Sequence, residues 1–194
     1  MTEIDVRPSP AELVDLLTEL VASPWPTTES ERVAWFAEHG LVVAGPEPEP
    51  RDGGSQAWVG TGPEQWGWSR CGWSTFEDEF VGVFWFLWRG TSMEGSELAA
   101  RALRDQLAQR FGEPAQEHVT EPETGRFTAF WETPGHTIDL YLHGGMRPQG
   151  AEDQFYDEPV IQLHLDHAER SARRDAEARE RHGGEVAPRP ADQG

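Results

Sequence analysis

The sequence predicts an α+β domain in which helices cover one face of a largely antiparallel sheet of about six to eight strands. Three observations lead to this fold class. Two N-terminal segments and one central segment carry apolar residues at helical spacing between helix start and stop signals. Short runs rich in aromatic and β-branched residues lie between and after these helices. Most of these runs are joined by short turns, and strands joined in that way pair antiparallel.

Two capping boxes begin the N-terminal helix pair. Ser9 with Glu12 begins the first helix, and Thr28 with Glu31 begins the second. The first helix ends ahead of the Pro24-Trp25-Pro26 segment and the second at Gly40, which suits a C-terminal cap. The apolar face of the second helix is predicted to consist of Val33, Phe36 and Ala37.

The predicted strands cover residues 41–44, 56–59, 65–73, 80–89, 118–120, 126–132, 137–143 and 160–165. The proline- and glycine-rich residues 46–55 are predicted to form a loop. The strand at 80–89 is apolar on both faces, as in a strand buried on both sides. Simple alternation places Phe80, Phe84, Phe86 and Trp88 on one face of it, and Val81, Val83, Trp85 and Leu87 on the other.

Two further helices complete the predicted organisation. A long central helix spans residues 96–111 and packs on a face of the sheet through an apolar stripe. Residues 166–182 pair acids with arginines at four-residue spacing and lack an apolar stripe, which predicts a charged, solvated C-terminal helix. We therefore expect a single domain over residues 1–165, this helix over 166–182, and a disordered tail over 183–194.

The negative charge is concentrated in the predicted domain. The chain carries a formal net charge of −19, with 35 acidic residues and 16 basic ones. Only 7 of the acids and 6 of the arginines lie from Asp166 onward, so residues 1–165 hold 28 acids and 10 arginines. Such a field repels nucleic acid and anionic membranes and favours a basic protein partner. Solubility alone would also account for it.

Tryptophan-rich residues 66–73, together with the acids that follow them, form the predicted partner-binding site. Aromatic rings beside an arginine are typical of protein interface hot spots. Burial of this segment as an edge strand closing over the core is the alternative. The residues of the predicted site are Trp66, Trp68, Arg70, Trp73, Glu77, Asp78 and Glu79. Trp85 and Trp88, by contrast, are expected in the core.

A strand-end group of His143, His164 and Asp139 is the alternative site. If the last two strands are neighbours, two histidines and a carboxylate could converge for metal-dependent or other small-molecule chemistry. No recognised metal-ligand spacing supports this, and histidines at the rim of a sheet are the structural alternative. Cys71 does not stand in a nucleophile motif, so a catalytic thiol is not expected. No cofactor is predicted.

The cysteine count and the lengths of the apolar runs bear on where the protein is located. With one cysteine, no internal disulfide can form. We find no apolar stretch at the N-terminus that would predict a signal peptide, and the longest apolar run is too short to span a bilayer. A cytoplasmic protein is therefore expected, and the sequence does not predict its oligomeric state.

Several short segments at the ends of the predicted helices and strands resemble those of a family of small acidic actinobacterial proteins of uncharacterised function. That family is similar to the immunity proteins that accompany secreted toxins. The resemblance covers roughly residues 10–165 and rests on "EHGLVV", "RFGEP", "FWETPGHTIDLYL" and "VIQLHL". It implies a non-catalytic protein that neutralises a toxin, and it carries over no catalytic residue; the negative charge of the chain predicts that this toxin is basic. A small-molecule or metal-dependent enzyme at the histidine group stays the alternative.

Overall fold

The computed structural model describes residues 6–41, 49–50, 55–61, 70–88, 93–121, 126–143 and 160–181. The helices within them are α1 (Pro10–Ala22), α2 (Glu29–Glu38), α3 (Met93–Phe111) and α4 (Ala168–Arg181). The strands are β1 (Glu49–Pro50), β2 (Ser55–Thr61), β3 (Arg70–Phe76), β4 (Glu79–Leu87), β5 (Gln116–Glu121), β6 (Arg126–Thr133), β7 (His136–His143) and β8 (Val160–His167). The predicted α+β class with an antiparallel sheet is confirmed.

Two antiparallel meanders join side by side into one sheet. The eight strands lie in the order β1-β2-β3-β4-β8-β7-β6-β5, and every neighbouring pair is antiparallel. β4 and β8 meet at the centre, and α3 carries the chain from β4 to β5 at the far edge. β4 is buried at nearly every position, as suits a strand covered on both faces, whereas β8 alternates between buried and half-buried residues.

The main core lies between one face of the sheet and the helices α1 and α3. α1 and α3 pack against each other, and α3 also contacts β6 and β7. Fully buried leucines of both helices meet the sheet there: Leu13, Leu17, Leu20, Leu103 and Leu107. Trp131 of β6 donates from Nε1 to the Gly112 carbonyl at 2.9 Å, which ties the end of α3 to the sheet. Each buried leucine contributes roughly 1.5–3 kcal/mol of hydrophobic stabilisation.

A β-bulge in β4 changes which residues face this core. Thr75 of β3 pairs with Phe80, whereas the preceding residue of β3 pairs with Gly82, so Val81 is an extra residue. The bulge turns Phe80 to the same side as Val83 and Trp85, and all three join the main core. Simple alternation had placed Phe80 on the opposite face, and that prediction was wrong because a bulge resets the period of two.

α2 buries a different face from the one that its spacing predicts. Trp35 and Phe36 are buried, whereas Val33 is 59% exposed and Ala37 is exposed. Trp35 donates from Nε1 to the Ser23 hydroxyl at 2.7 Å, across the connection between α1 and α2. The assignment of Val33 and Ala37 to the apolar face was wrong, because the large Trp35 ring selects which side of this short helix packs.

The first predicted strand and the loop after it differ from the structure. Leu41 is buried but belongs to no strand, and residues 42–44 lie outside the described residues. Within the predicted loop 46–55, two residues form β1 and pair with β2. Of the predicted strand at 65–73, residues 65–69 lie outside the described residues, and β3 runs on to Phe76. Local turn residues do not exclude so short an edge strand.

The C-terminal helix is docked on the domain through polar side chains. Asp166 and His167, predicted to begin this helix, are the last residues of β8, and α4 starts at Ala168. α4 contacts β4, β7 and β8, and Ser171 is fully buried. The Ser171 hydroxyl donates to Asp166 Oδ2 at 3.2 Å, and Arg174 donates to the same oxygen at 3.3 Å. The expected solvated helix is thus anchored without an apolar stripe. Residues 182–194 lie outside the described residues.

Of the ion pairs predicted within α4, Glu177 with Arg181 is present. Asp166 pairs with Arg174, not with Arg170. The Arg170 guanidinium instead donates to two carbonyl oxygens of the domain, and Arg173 pairs with Glu77 after β3 and with Glu79 at the start of β4. The arginines that contact the rest of the domain therefore do not pair with the acidic residue four positions earlier in the sequence.

Candidate functional site

The tip of the β3–β4 hairpin presents three consecutive acids. Glu77 and Asp78 form a two-residue turn with φ values of 49° and 62°, a left-handed conformation that twists with the flanking strands. Asp78 is exposed, and the side chains of Glu77 and Glu79 are 61% and 41% exposed. We call Glu77, Asp78 and Glu79 the acidic hairpin. Its carboxylates lie at the end of the antiparallel pair of β3 and β4.

The acidic hairpin already carries one guanidinium of the same chain. Arg173 of α4 lies against the Glu79 carboxylate, and its Nε is 3.9 Å from Glu77 Oε2. Both carboxylates are partly exposed, so this contact contributes little stability, typically about 0–1 kcal/mol. It does show that the hairpin geometry suits an arginine supplied by a helix.

Of the tryptophans in the predicted partner-binding site, the structure describes only Trp73, and it is buried. Trp66 and Trp68 lie outside the described residues, and Arg70 is the first residue of β3. Trp73 is only 5% exposed, and the Arg32 guanidinium of α2 sits 3.9 Å from the centroid of its ring. Its inclusion in a partner-binding site was wrong, because α2 covers it. For Trp73 the alternative of a strand closed over the core describes the structure.

A second acidic surface, on α1, was not singled out from the sequence. Glu12, Asp15 and Glu19 are all exposed, and their spacing of three and four residues puts them on one side of the helix. That spacing was visible in the sequence and could have identified them. Hydrogen bonds from the backbone N–H and hydroxyl of Ser9 lower the pKa of Glu12, so this carboxylate is firmly ionised.

Several arginines of the described part of the chain are engaged internally. Arg104 pairs with Glu117 at 2.6 Å and with Glu113 at 3.2 Å, and the hydrogen bond to Glu117 raises its pKa. Arg110 donates to Thr18 at 3.0 Å. Arg174 is held by Asp166. These arginine side chains therefore form ion pairs and hydrogen bonds within the protein, whereas acidic side chains of α1 and of the acidic hairpin are exposed to solvent.

The alternative histidine group is brought only partly together. β7 and β8 are neighbours, and Asp139 lies directly opposite His164. Directly opposed residues share a face of the sheet, so their side chains are adjacent. His143 is four residues beyond Asp139 on the same strand, about 13 Å away at strand rise. The predicted convergence holds for one histidine and the carboxylate.

Aromatic rings link the two histidines on that face. The Tyr141 ring stacks on His143 at 5.3 Å between centroids and meets His164 at 5.6 Å, and Phe84 stacks on His164 at 5.6 Å. Burial lowers the pKa of His143, which favours a neutral ring. Neutral imidazoles can bind a metal or transfer a proton. Among the described residues, no group of three His, Cys, Asp or Glu side chains is placed to hold a metal ion.

Cys71 is buried, and desolvation raises the pKa of its thiol to about 12. The thiolate is the nucleophilic form, so this side chain is poorly suited to covalent catalysis.

Comparison with protein-family models, curated protein sequences and solved structures finds no match to this chain. Among the described residues, none of the helices has the length and apolar character needed to cross a membrane. The resemblance to immunity proteins therefore stays a prediction from the sequence.

Proposed function

We propose that this chain is a non-catalytic cytoplasmic protein that binds a basic protein partner, as an immunity protein does when it neutralises a secreted toxin. The observation that carries the proposal is the distribution of charge. Residues 1–165 hold 28 acids against 10 arginines, and the described arginines named above are engaged in internal contacts. The acidic hairpin and the exposed side of α1 are the proposed binding surfaces.

Electrostatics supports a protein partner of opposite charge. A surface of one sign steers a basic partner toward it and raises the association rate, and this effect falls with ionic strength. Nucleic acid and anionic membranes are disfavoured by the same field. The contact of Arg173 with Glu77 and Glu79 supports the proposal, because it is a contact between this hairpin and an arginine within the same chain.

Affinity capture with matched charge variants tests the proposal. The tagged full chain is used to capture proteins from a lysate of its source organism, and the retained protein is identified by mass spectrometry. We expect a basic protein that leaves the beads at high salt. The variant Glu77→Gln/Asp78→Asn should bind it at least about tenfold more weakly, equivalent to about 1.4 kcal/mol.

The control variant Glu94→Gln/Glu97→Gln removes two charges from α3, away from the acidic hairpin. We expect its affinity to stay within about threefold of the parent. Equal weakening by both variants would show a response to net charge alone. A retained partner that is acidic, or whose binding does not change with salt, would contradict the proposal.

A second candidate is a small-molecule or metal-dependent enzyme using Asp139, His164 and His143. The observation in its favour is that Asp139 and His164 are direct cross-strand neighbours beside Tyr141. Elemental analysis of the purified protein tests the metal version. One equivalent of bound metal per chain that is lost in the His164→Ala variant would support it. A metal content below about a tenth of an equivalent per chain would contradict it.

A further inference from the structure

Two histidines face each other where α4 leaves the sheet. His136 at the start of β7 is the register partner of His167 at the end of β8, and their ring centroids are 6.0 Å apart. The Trp25 ring packs against both, at 4.9 Å from His136 and 6.0 Å from His167. Only His136 is fully buried, at 7% exposure.

His167 also caps the helix that follows it. The Nδ1 atom of His167 accepts the backbone N–H of Arg170 at 3.5 Å, the bond that an N-cap side chain makes in the first turn. The Arg170 guanidinium donates to the carbonyl oxygens of Phe80 at 2.8 Å and Pro26 at 3.1 Å. The first turn of α4 is therefore fastened to the domain beside the histidine pair.

The surroundings favour neutral rings. Neither ring nitrogen of His136 has a hydrogen-bond partner of ordinary geometry within the described part of the chain. Burial and repulsion from His167 lower the pKa of His136, against a smaller opposing effect of the Pro134 backbone. Burial and repulsion from Arg170 lower the pKa of His167, against a smaller opposing effect of Glu169. Within the described part of the chain, Arg170 and Glu169 of α4 act on His167, and Asp166 of β8, next to His167, is paired with Arg174.

We propose that His136 and His167 form a pH-sensitive latch, which holds α4 on the sheet while both rings are neutral and releases it when they are protonated. Protonated His167 can no longer accept the N–H of Arg170. It also places a positive charge at the N-terminus of α4, where the helix dipole is positive, and beside the Arg170 guanidinium. Release would take Arg173 away from the acidic hairpin.

The sign of the pH dependence follows from proton linkage. Burial and Arg170 of α4 lower the pKa of His167, and burial and His167 lower that of His136, so the docked state binds fewer protons than a released state in which the contacts with α4 are lost. Docking is therefore complete above about pH 6.5 and is lost as the pH falls below it. Each proton taken up changes the docking equilibrium by up to about tenfold per pH unit.

A spin label on α4 can follow the latch in the full chain. Ala172 is exposed on α4, and the only native thiol, Cys71, is buried, so Ala172→Cys takes the label selectively. We expect nitroxide mobility at this position to rise as the pH falls from about 8 to about 5, the interval in which histidines titrate. Far-UV circular dichroism should keep the signal of the folded sheet over the same interval.

Substitutions of the two histidines separate the latch from general acid sensitivity. His167→Asn keeps a capping acceptor and His136→Phe keeps an aromatic ring, and neither new side chain titrates. Together they should leave the label immobile throughout. The matched control His143→Gln removes another half-buried histidine whose pKa is lowered, and should keep the transition of the parent. Constant mobility in the parent, mobility that rises only with unfolding, or an unchanged transition in the double variant would each overturn the proposal.

Discussion

Gly82 is the position at which a single methyl group should disturb the anchoring of α4 most strongly. A Cβ at this residue would overlap the Asp166 carboxylate and lie 2.6 Å from the Leu165 carbonyl oxygen. The Leu165 carbonyl belongs to the paired backbone of β8 and cannot move freely. Gly82→Ala must therefore displace the Asp166 side chain, which receives Ser171 and Arg174 of α4.

The expected loss in the free energy of unfolding can be estimated from these contacts. An extra methyl group without space costs about 1–3 kcal/mol, and breaking a buried ion pair costs about 3–5 kcal/mol. The Asp166 side chain is 7% exposed but that of Arg174 is 21% exposed, so we take the lower part of the second range. Adding the clash to the broken pair, we expect Gly82→Ala to lower the free energy of unfolding by about 4–6 kcal/mol in urea titrations.

A double-mutant cycle with Asp166→Ala identifies the mechanism. If the clash acts through the carboxylate, Gly82→Ala should cost about half as much in the Asp166→Ala background, because only the clash with the Leu165 carbonyl stays. A cost below about 0.5 kcal/mol in the parent, or an equal cost in both backgrounds, would refute this reasoning.

Three other predictions concern the core and a cap. Cys71, whose thiol pKa is raised to about 12, should resist alkylation at about pH 8 in the folded protein and react only on unfolding; reaction at the rate of an exposed thiol would contradict its burial. Leu163→Ala, at a fully buried site of β8, should cost about 2–5 kcal/mol in urea unfolding, and a loss below 1 kcal/mol would show that this site is not packed. Thr28→Ala removes the acceptor for the Glu31 N–H and should cost about 1 kcal/mol by the same measurement, whereas an unchanged midpoint would mean that the cap is dispensable.

Local signals predicted the parts of the fold that depend on neighbours in sequence. Both capping boxes are present, with the N-cap side chains of Ser9 and Thr28 accepting as expected. The burial of Trp85 and Trp88 also follows from the apolar run that contains them. The bulge at Val81 was not predicted, because it is defined by the register between β4 and β3. It does not require a particular amino acid that could be recognised in the sequence.

Polar docking was the feature least accessible from the sequence. α4 lacks an apolar stripe, so its pattern indicated a solvated helix, yet Asp166 and Arg174 join it to the sheet across eight residues of sequence. His136 and His167 meet only because β7 and β8 pair in one register. The adjacency of Asp139 and His164 was predicted on the condition that those strands are neighbours, which they are.

Growth of cells that co-express the captured basic partner with this chain tests the central claim most directly. The partner alone should arrest growth, and co-expression of the parent chain should restore it. Glu77→Gln/Asp78→Asn should restore it less well than Glu94→Gln/Glu97→Gln at equal expression. A partner that is harmless alone, or growth arrest that persists although the complex forms, would contradict the proposed neutralising function.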